Sequence, residues 1–440
     1  MWRNEMKHLN IAIFSHTIAF GGSERVACLL ADLLSQEGYN IFFIIQHKTN
    51  FSYSINNKNI TMYNLENSNN KYEGVRGIFK KENINLCIFN DHFIDETFDF
   101  IRLAHKMNIK TIAIEHSSFF FPFYALNTTN FTKRNAGYRY IDRLVVLSPM
   151  LEQMWNALNI TKAIFIPNPL TFKQRHYTTT TKKEKYLIFI GRICYMKGIF
   201  EALEIIKRVS EKFENVRLLV LGRFEDDKIK KDVEKKIDEL HINKNIIFTG
   251  HINNIETYLS AASIHLMPSM IEGAPMSFYE AKSFGIPTVC FDIPTLFLAD
   301  ESSGCIMVGK NDIEGMTDAV MKLLTDERYW KLMSERSINS LTKLDEKIII
   351  SKWNALINNI INESTKNTDN KKNQDELPHT ILKEFSYAID WYNQKNISIL
   401  YNEMGYLIPF HKIIIKMLPK GSIQRTYIKK IFSLFKKIFN

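Results

Sequence analysis

Two series of short apolar runs, each run followed by an amphipathic stretch, restrict this chain to a small set of folds. The first series comprises residues 11–14, 41–45, 86–89, 111–114 and 144–147, with helical patterns such as 24–36 and 99–106 between them. The second comprises Tyr186–Ile190, 216–221, 246–248, Ile264–Met267 and Thr288–Phe291. Runs this short and this continuously apolar suit strands covered on both faces, and their alternation with helices gives parallel sheets. The expected fold is α/β: two doubly wound parallel-sheet, Rossmann-like domains facing each other across a cleft, with ligand sites at the carboxyl ends of the strands. Pro167, Asn168, Pro169 and the threonine-rich stretch 178–185 divide the two series. This places an N-terminal domain over 1–172 and a second over 173–363, whose last helix, about 345–361, recrosses to the first. A polar stretch over 364–378 reads as a linker, and 379–440 as a basic, helical C-terminal extension.

The 440 residues, 45% hydrophobic and 24% charged, have an ordinary globular composition with room for two domains. The five cysteines lie far apart without a C-x-x-C pair, so neither a disulfide framework nor a zinc site is expected, and a reducing cytoplasm fits. No signal-peptide core and no run of eighteen apolar residues is present in the sequence. Of the net charge of +10, eight units lie after Glu403, where no acid occurs. The basicity belongs to the tail rather than to the body.

The stretch PSMIEGAPMSFYEAKSFGIPTV, 268–289, carries two acids, Glu272 and Glu280, in otherwise apolar chain. On one continuous helix they would stand about 12 Å apart along the axis and about 80° apart around it, too dispersed to act as a pair. The strand Ile264–Met267 ends at Pro268, Gly273 and Ala274 permit a turn, and Pro275 suits the first position of a helix. Glu272 is then on the loop and Glu280 on the helix. The N–H groups of Met276, Ser277 and Phe278 are expected to point into the cleft, where a helix N-terminus attracts phosphate. The bland alternative is a capping acid and a surface acid.

Other strand ends add to this. Tyr186–Ile190 runs into Gly191-Arg192-Ile193-Cys194-Tyr195-Met196-Lys197-Gly198, which offers a guanidinium and an ammonium to a diphosphate whose charge grows as it leaves. Two solvated surface cations are the alternative. In the first series the run 11–14 leads to Gly21-Gly22-Ser23-Glu24 and a helix; this is not G-x-G-x-x-G, so a nicotinamide cofactor is disfavoured. Gly21 and Gly22 make the turn or let backbone approach a phosphate or sugar. His116 follows the run 111–114 and is either structural or catalytic.

Taken together these elements resemble glycosyltransferase family four (glycosyl transferases group 1), the retaining transferases of the GT-B fold, over about 11–362. The most specific element is P-S-x-x-E-G-x-P-x(4)-E-A-x(3)-G-x-P-V, met here from Pro268 to Val289 with Thr288 intervening before Val289, which contains the E-x(7)-E signature as Glu272 and Glu280. The G-R-x(4)-K-G element matches at Gly191, Arg192, Lys197 and Gly198, and the G-G element at Gly21 and Gly22. Asn168-Pro169 departs from the Asn-Gly of the family, and the last sixty or so residues lie outside the pattern. The resemblance implies that Glu280 accepts hydrogen bonds from the ribose of a nucleotide sugar, UDP-linked, and that Glu272 lies by the transferred sugar. The helix start from Gly273 through Ala274, Pro275, Met276 and Ser277 holds the diphosphate. It also implies that Arg192 and Lys197 stabilise the departing diphosphate, that His116 contacts the sugar, and that Gly250 and His251 meet the nucleobase. No cofactor and no metal are expected, since the nucleotide sugar is a substrate. The acceptor is a saccharide or lipid-linked saccharide. Rivals are a nucleotide-sugar epimerase of the same fold, a catalytically inactive binding subunit, and nucleic-acid binding through the tail.

The tail itself is patterned. At 428–440 Ile428, Ile431, Phe432, Leu434, Phe435, Ile438 and Phe439 fall on one helical arc and Lys429, Lys430, Lys436 and Lys437 on the other. Either the apolar face packs on the protein, or the helix lies on an anionic membrane and makes this a peripheral cytoplasmic enzyme.

Overall fold

The computed structural model describes residues 9–19, 21–47, 53, 55, 57–90, 95–119, 121, 134, 137–158, 161–172, 186–252 and 254–363. The expected linkers at 178–185 and 364–378 and the basic extension 379–440 lie outside the described residues.

The chain divides into two compact units, one formed by Met1–Pro167 together with the chain from Ile349, the other by Asn168–Ile348. The first holds a seven-stranded parallel sheet in the order β3-β2-β1-β4-β5-β6-β7. Its strands are β1 Asn10–Ser15, β2 Asn40–Ile45, β3 Ile60–Asn64, β4 Leu86–Phe89, β5 Lys110–Glu115, β6 Arg143–Val146 and β7 Ala163–Phe165. In the second unit a six-stranded parallel sheet runs β10-β9-β8-β11-β12-β13. These strands are β8 Tyr186–Ile190, β9 Arg217–Leu221, β10 Ile246–Gly250, β11 Ile264–Met267, β12 Thr288–Phe291 and β13 Cys305–Val308. In each sheet the strand order reverses beside the first strand of the unit, between β1 and β4 and between β8 and β11.

Central strands are buried almost throughout, and mostly apolar, because helices cover both faces. Phe14 of β1 stacks on Phe89 of β4 at 4.9 Å and on Phe100 at 5.6 Å, with Phe79 edge-on at 5.9 Å. The second core gathers Ile188, Leu219, Leu259, Ala281, Phe284 and Ile286. Three strands went unread in the sequence, β3, β7 and β13, and all are at or beside sheet edges. β3 exposes Thr61, Met62 and Asn64, β13 exposes Met307, and β7 has three residues. An edge strand that keeps one face in water shows no continuous apolar run.

Thr171 and Phe172 pack with the second unit: the Phe172 ring meets Phe284 edge-on at 5.4 Å. The helix Glu346–Asn362 buries Ile349, Trp353, Leu356, Ile357 and Ile360. Its Asn354 accepts a hydrogen bond from Tyr39 Oη at 3.0 Å, and Lys352 Nζ lies over the Phe165 ring at 4.7 Å. Among the described residues no helix is long and apolar enough to cross a membrane.

Candidate functional site

In the second unit the loops at the carboxyl ends of β8, β9 and β10 are hydrogen-bonded into one another. Gly191 N–H donates to Leu221 O (2.9 Å), Ile193 N–H to Arg223 O (2.8 Å), Glu225 N–H to Ile193 O (3.0 Å) and Gly222 N–H to Gly250 O (3.0 Å). This weave sets Arg192 beside Glu225, with Nη1 to Oε1 at 3.0 Å; both side chains are exposed. The pair is solvent-screened and contributes little to stability. Gly250 closes β10 with φ 68°, open space on its Cβ side, and His251 follows it half-exposed.

The next two turns meet head to head. Tyr195–Lys197 forms a single 3-10 turn closed by Gly198 at φ 75°, ψ 36°, and Met270 N–H donates to Met196 O at 2.9 Å. A Cβ on Gly198 would stand 1.9 Å from the carbonyl oxygen of Pro268, so only glycine lets the G-R-x(4)-K-G loop lie against the end of β11. That close approach delivers Lys197 to Glu272. The ammonium lies 2.6 Å from Oε1 and 2.8 Å from Oε2, with Glu272 8% exposed and the lysine side chain 27%. Thr295 Oγ1 donates to the Glu272 carbonyl at 3.1 Å and fixes the loop from the other side.

The helix then runs Met276–Ser283, with Pro275 as its N-cap at φ −65°, ψ 125°. Proline therefore stands one position before its expected place: its fixed φ suits the cap as well as the first turn, and ψ decides between them. Phe278 N–H donates to Pro275 O at 3.1 Å. This corrects the expectation of three outward N–H groups, since only those of Met276 and Ser277 precede the first turn's bond. Gly273 is buried, while Ala274, Pro275 and Ser277 are partly exposed. Glu280 is 5% exposed, and its Oε1 accepts from Thr171 Oγ1 at 2.8 Å. The two glutamates are thus a loop acid and a helix acid, each with its own partner, as the Gly273 turn dictates.

In the last turn of this helix Lys282 is wholly buried, donates to Ser303 O and lies over the Phe278 ring at 4.6 Å. Burial pushes its pKa down to about 8, opposed by Cys305, Cys290 and Asp300. The same burial pushes His265 down to about 3, with Lys282 adding to the effect.

In the first unit the helix Gly22–Gln36 begins after Gly21, whose φ of −82° is ordinary. Glycine leaves room there for a side chain: a Cβ would lie 1.8 Å from Glu24 Oε2, the far end of a flexible chain that would have to move aside. Glu24 folds back over its own helix start, where Ser23 Oγ donates to its Oε2 at 2.8 Å. Asn90 donates from Nδ2 to Ser23 O at 2.9 Å, and His116 Nε2 lies 2.8 Å from Asn90 Oδ1. Next to His116, the buried Glu115 accepts from Ser117 N–H (3.0 Å), Arg134 Nη1 (3.1 Å) and Tyr138 Oη (2.9 Å). At the ends of β1 and β2 the rings of His16 and His47 meet at 4.7 Å, and Lys71 Nζ lies 3.1 Å from His47 Nε2 and 3.1 Å from Glu96. Burial, then His47, lowers the His16 pKa.

The sequence missed Thr171, Glu225, Asn90, Glu115 and Arg134. Asn90 and Glu115 do stand at strand ends, the one signal that could have marked them. Among the described residues no three His, Cys, Asp or Glu side chains are grouped to hold a metal ion, and Asp226 is engaged as the N-cap of the helix Asp227–Leu240.

Residues 172–340 match the family described as Glycosyl transferases group 1. The chain is 25% identical over 355 residues to an uncharacterized glycosyltransferase of Haemophilus influenzae, covering 77% of this chain and 96% of that protein. It is 21% identical over 353 residues to the amylovoran biosynthesis glycosyltransferase AmsD of Erwinia amylovora, again covering 77% and 96%. Among solved structures it is similar to a mutant of S. aureus TarM in complex with fondaparinux, alpha-GlcNAc-glycerol and UDP, at a TM-score of 0.67 and 13% identity over 81% of this chain and 100% of that one. Both parallel sheets thus have the fold of the GT-B structures the chain is similar to, and within it residues 172–340 carry the likeness to the group 1 glycosyl transferases.

Proposed function

We propose that this protein transfers a hexose or N-acetylhexosamine, with retention of anomeric configuration, from a UDP-sugar to a saccharide or lipid-linked saccharide in the synthesis of a bacterial surface polysaccharide. The observation that carries the reading is the Lys197–Glu272 pair beside the helix start at Met276, because it sets a cation, main-chain N–H groups and a carboxylate at one strand end. As the sugar–phosphate bond breaks, negative charge grows on the leaving diphosphate. Lys197, Arg192 and the N–H groups of Met276 and Ser277 are donors suited to that charge. Glu280, already a hydroxyl acceptor toward Thr171, takes ribose hydroxyls in the same manner. Glu272 orients Lys197 and meets the transferred sugar, and His116 of the first unit is in this reading a sugar-contacting residue. Gly250 and His251 meet the base. Retention follows when the acceptor hydroxyl attacks on the face the diphosphate leaves and gives its proton to a donor phosphate oxygen, which needs no protein nucleophile.

UDP as the nucleotide and polysaccharide as the product are supported by what the TarM complex and AmsD are named for. The cationic, amphipathic tail at 428–440 supports a peripheral place on the cytoplasmic face of the membrane, near a lipid-linked acceptor. A panel of nucleotide sugars, read by slow hydrolysis and by thermal protection, tests the donor. Lys197→Ala and Arg192→Ala are each expected to lower turnover about a hundredfold. Wild-type turnover in both variants refutes the diphosphate assignment. Cosedimentation with anionic vesicles, comparing the full chain with one ending at Glu403, tests the tail: equal recovery in the supernatant at low salt refutes membrane attachment.

A further inference from the structure

Tyr195 opens the 3-10 turn that ends at Lys197. Its hydroxyl donates to Asp232 Oδ2 at 2.6 Å across 37 residues of chain, and both side chains belong to half-buried residues. A phenol that gives its hydrogen to a carboxylate makes a charge-assisted bond, about twice as strong as one between neutral groups. That bond, with burial behind it, pushes the Tyr195 phenol up to about 12, so the hydrogen stays in place at neutral pH. The ring has a second contact, a stack on Phe200 at 5.1 Å and 19°.

Asp232 is a fixed point. Its helix, Asp227–Leu240, buries Ile229, Val233 and Ile237, is capped by Asp226, which accepts from Ile229 N–H at 2.8 Å, and is tied to the helix Ile199–Ser210 by Lys236 Nζ, 2.6 Å from Glu204 Oε1. That helix is docked without Tyr195, so what the phenol bond adds, it adds to the turn. The turn is thereby held by two elements. Toward the end of β11, Met196 O accepts from Met270 N–H at 2.9 Å and Gly198 lies against Pro268; toward the helix Asp227–Leu240 it is held by Tyr195. Lysine carries its charge on a flexible four-carbon stem, so the Lys197 ammonium is only as well placed as the turn beneath it.

We propose that Tyr195 and Asp232 are positioning residues for the reaction: their hydrogen bond holds the turn Tyr195–Lys197 so that the Lys197 ammonium stands where charge develops on the leaving diphosphate. This rests on the glycosyltransferase reading and on the place of Lys197 in it. Because that charge grows as the sugar–phosphate bond breaks, a displaced ammonium takes more from the transition state than from the bound nucleotide.

The test is steady-state transfer by the full chain carrying Tyr195→Phe, Asp232→Leu, both together, or Asp232→Asn, with NMR of the lysine ε-carbons in the same proteins. Tyr195→Phe keeps the ring and loses only the hydroxyl. It and Asp232→Leu are each expected to lower kcat about tenfold, short of the hundredfold that a misplacement of about 1 Å costs, with UDP affinity by calorimetry within about twofold of the wild type. The double variant is expected to fall no further than either single one, since one bond is lost only once. Asp232→Asn keeps an oxygen that accepts from the phenol and is expected to keep turnover within about threefold. The Lys197 signal, identified by its loss in Lys197→Met, is expected to move in Tyr195→Phe and in Asp232→Leu. Wild-type kcat in either of these variants, additive losses in the double variant, an Asp232→Asn as slow as Asp232→Leu, or a loss of UDP affinity as large as the loss of kcat each overturns the proposal. The two ends of the bond are tested separately, so a variant that fails to fold at one end leaves the other to decide. Failure of the wild type to turn over any nucleotide sugar refutes the enzymatic reading instead; a Lys197 signal that stays in place in the variants overturns the positioning whether or not a sugar is transferred.

Discussion

Replacing Gly198 by alanine probes whether the meeting of the two motif loops matters to the reaction. The residue sits at φ 75°, ψ 36°, and adopting that conformation with a side chain costs about 1–2 kcal/mol. The added Cβ would stand 1.9 Å from Pro268 O, where real contacts stay beyond 3.0 Å, so the loops must part by about 1 Å. The bond from Met270 N–H to Met196 O, 2.9 Å long, would then stretch to about 4 Å and be lost, removing about 1 kcal/mol. Stability is expected to fall by about 2–3 kcal/mol, seen as a melting temperature several degrees lower. Lys197 precedes Gly198 directly and moves with it. A displacement of about 1 Å at a charge-stabilising group costs about a hundredfold in turnover. Thermal denaturation and steady-state transfer on the same preparation measure both effects. A variant that melts with the wild type and turns over at the wild-type rate refutes the reasoning, and a stability loss with full turnover refutes its catalytic half.

Further predictions concern charge. Because burial holds Lys282 at about 8 against 10.5 when free, the unfolded chain binds the extra proton between those values and stability attributable to this lysine rises with pH across that window. Lys282→Met removes this rise, about 3 kcal/mol at most, at the cost of leaving Ser303 O without its donor; urea melts of both proteins at pH 8 and pH 10.5 that differ by a constant amount refute it. Glu280→Gln, which in the proposed site deprives the ribose diol of a carboxylate, is expected to weaken UDP binding about tenfold in calorimetry, while unchanged affinity assigns Glu280 to packing with Thr171. Transfer is expected to survive EDTA if, as proposed, lysine, arginine and main-chain N–H groups supply the positive charge; loss of activity that manganese restores refutes this.

The central strands were legible because burial on both faces leaves an unmistakable composition: β8, β11 and β12 begin and end where their apolar runs do. The edge strands β3 and β13 were not, since half of each faces water. At the site, the sequence placed Glu272, Glu280, Lys197 and Arg192 on the correct loops and helix, because glycine and proline mark those turns. It could not pair them. Lys197 meets Glu272 across 75 residues and Thr171 meets Glu280 across 109, and no local pattern encodes a partner that far away. Gly21 illustrates a subtler gap: glycine before a helix suggests a bend or an approaching ligand, whereas here the missing Cβ makes room for the carboxylate of Glu24.

The return of the chain to its first unit has a consequence for the order in which the protein can be made. All six strands of the second sheet lie between Asn168 and Ile348, so that unit is complete as soon as its own segment has left the ribosome. The first unit, although begun earlier, waits for Trp353, Ile357 and Ile360 to cover it. During synthesis the N-terminal sheet is therefore held unfinished for the time taken to add the whole of the second unit, with the apolar surface meant for the last helix in contact with water or a chaperone. A chain truncated after Ile348 contains the whole of the second unit together with a first unit that lacks Trp353, Ile357 and Ile360.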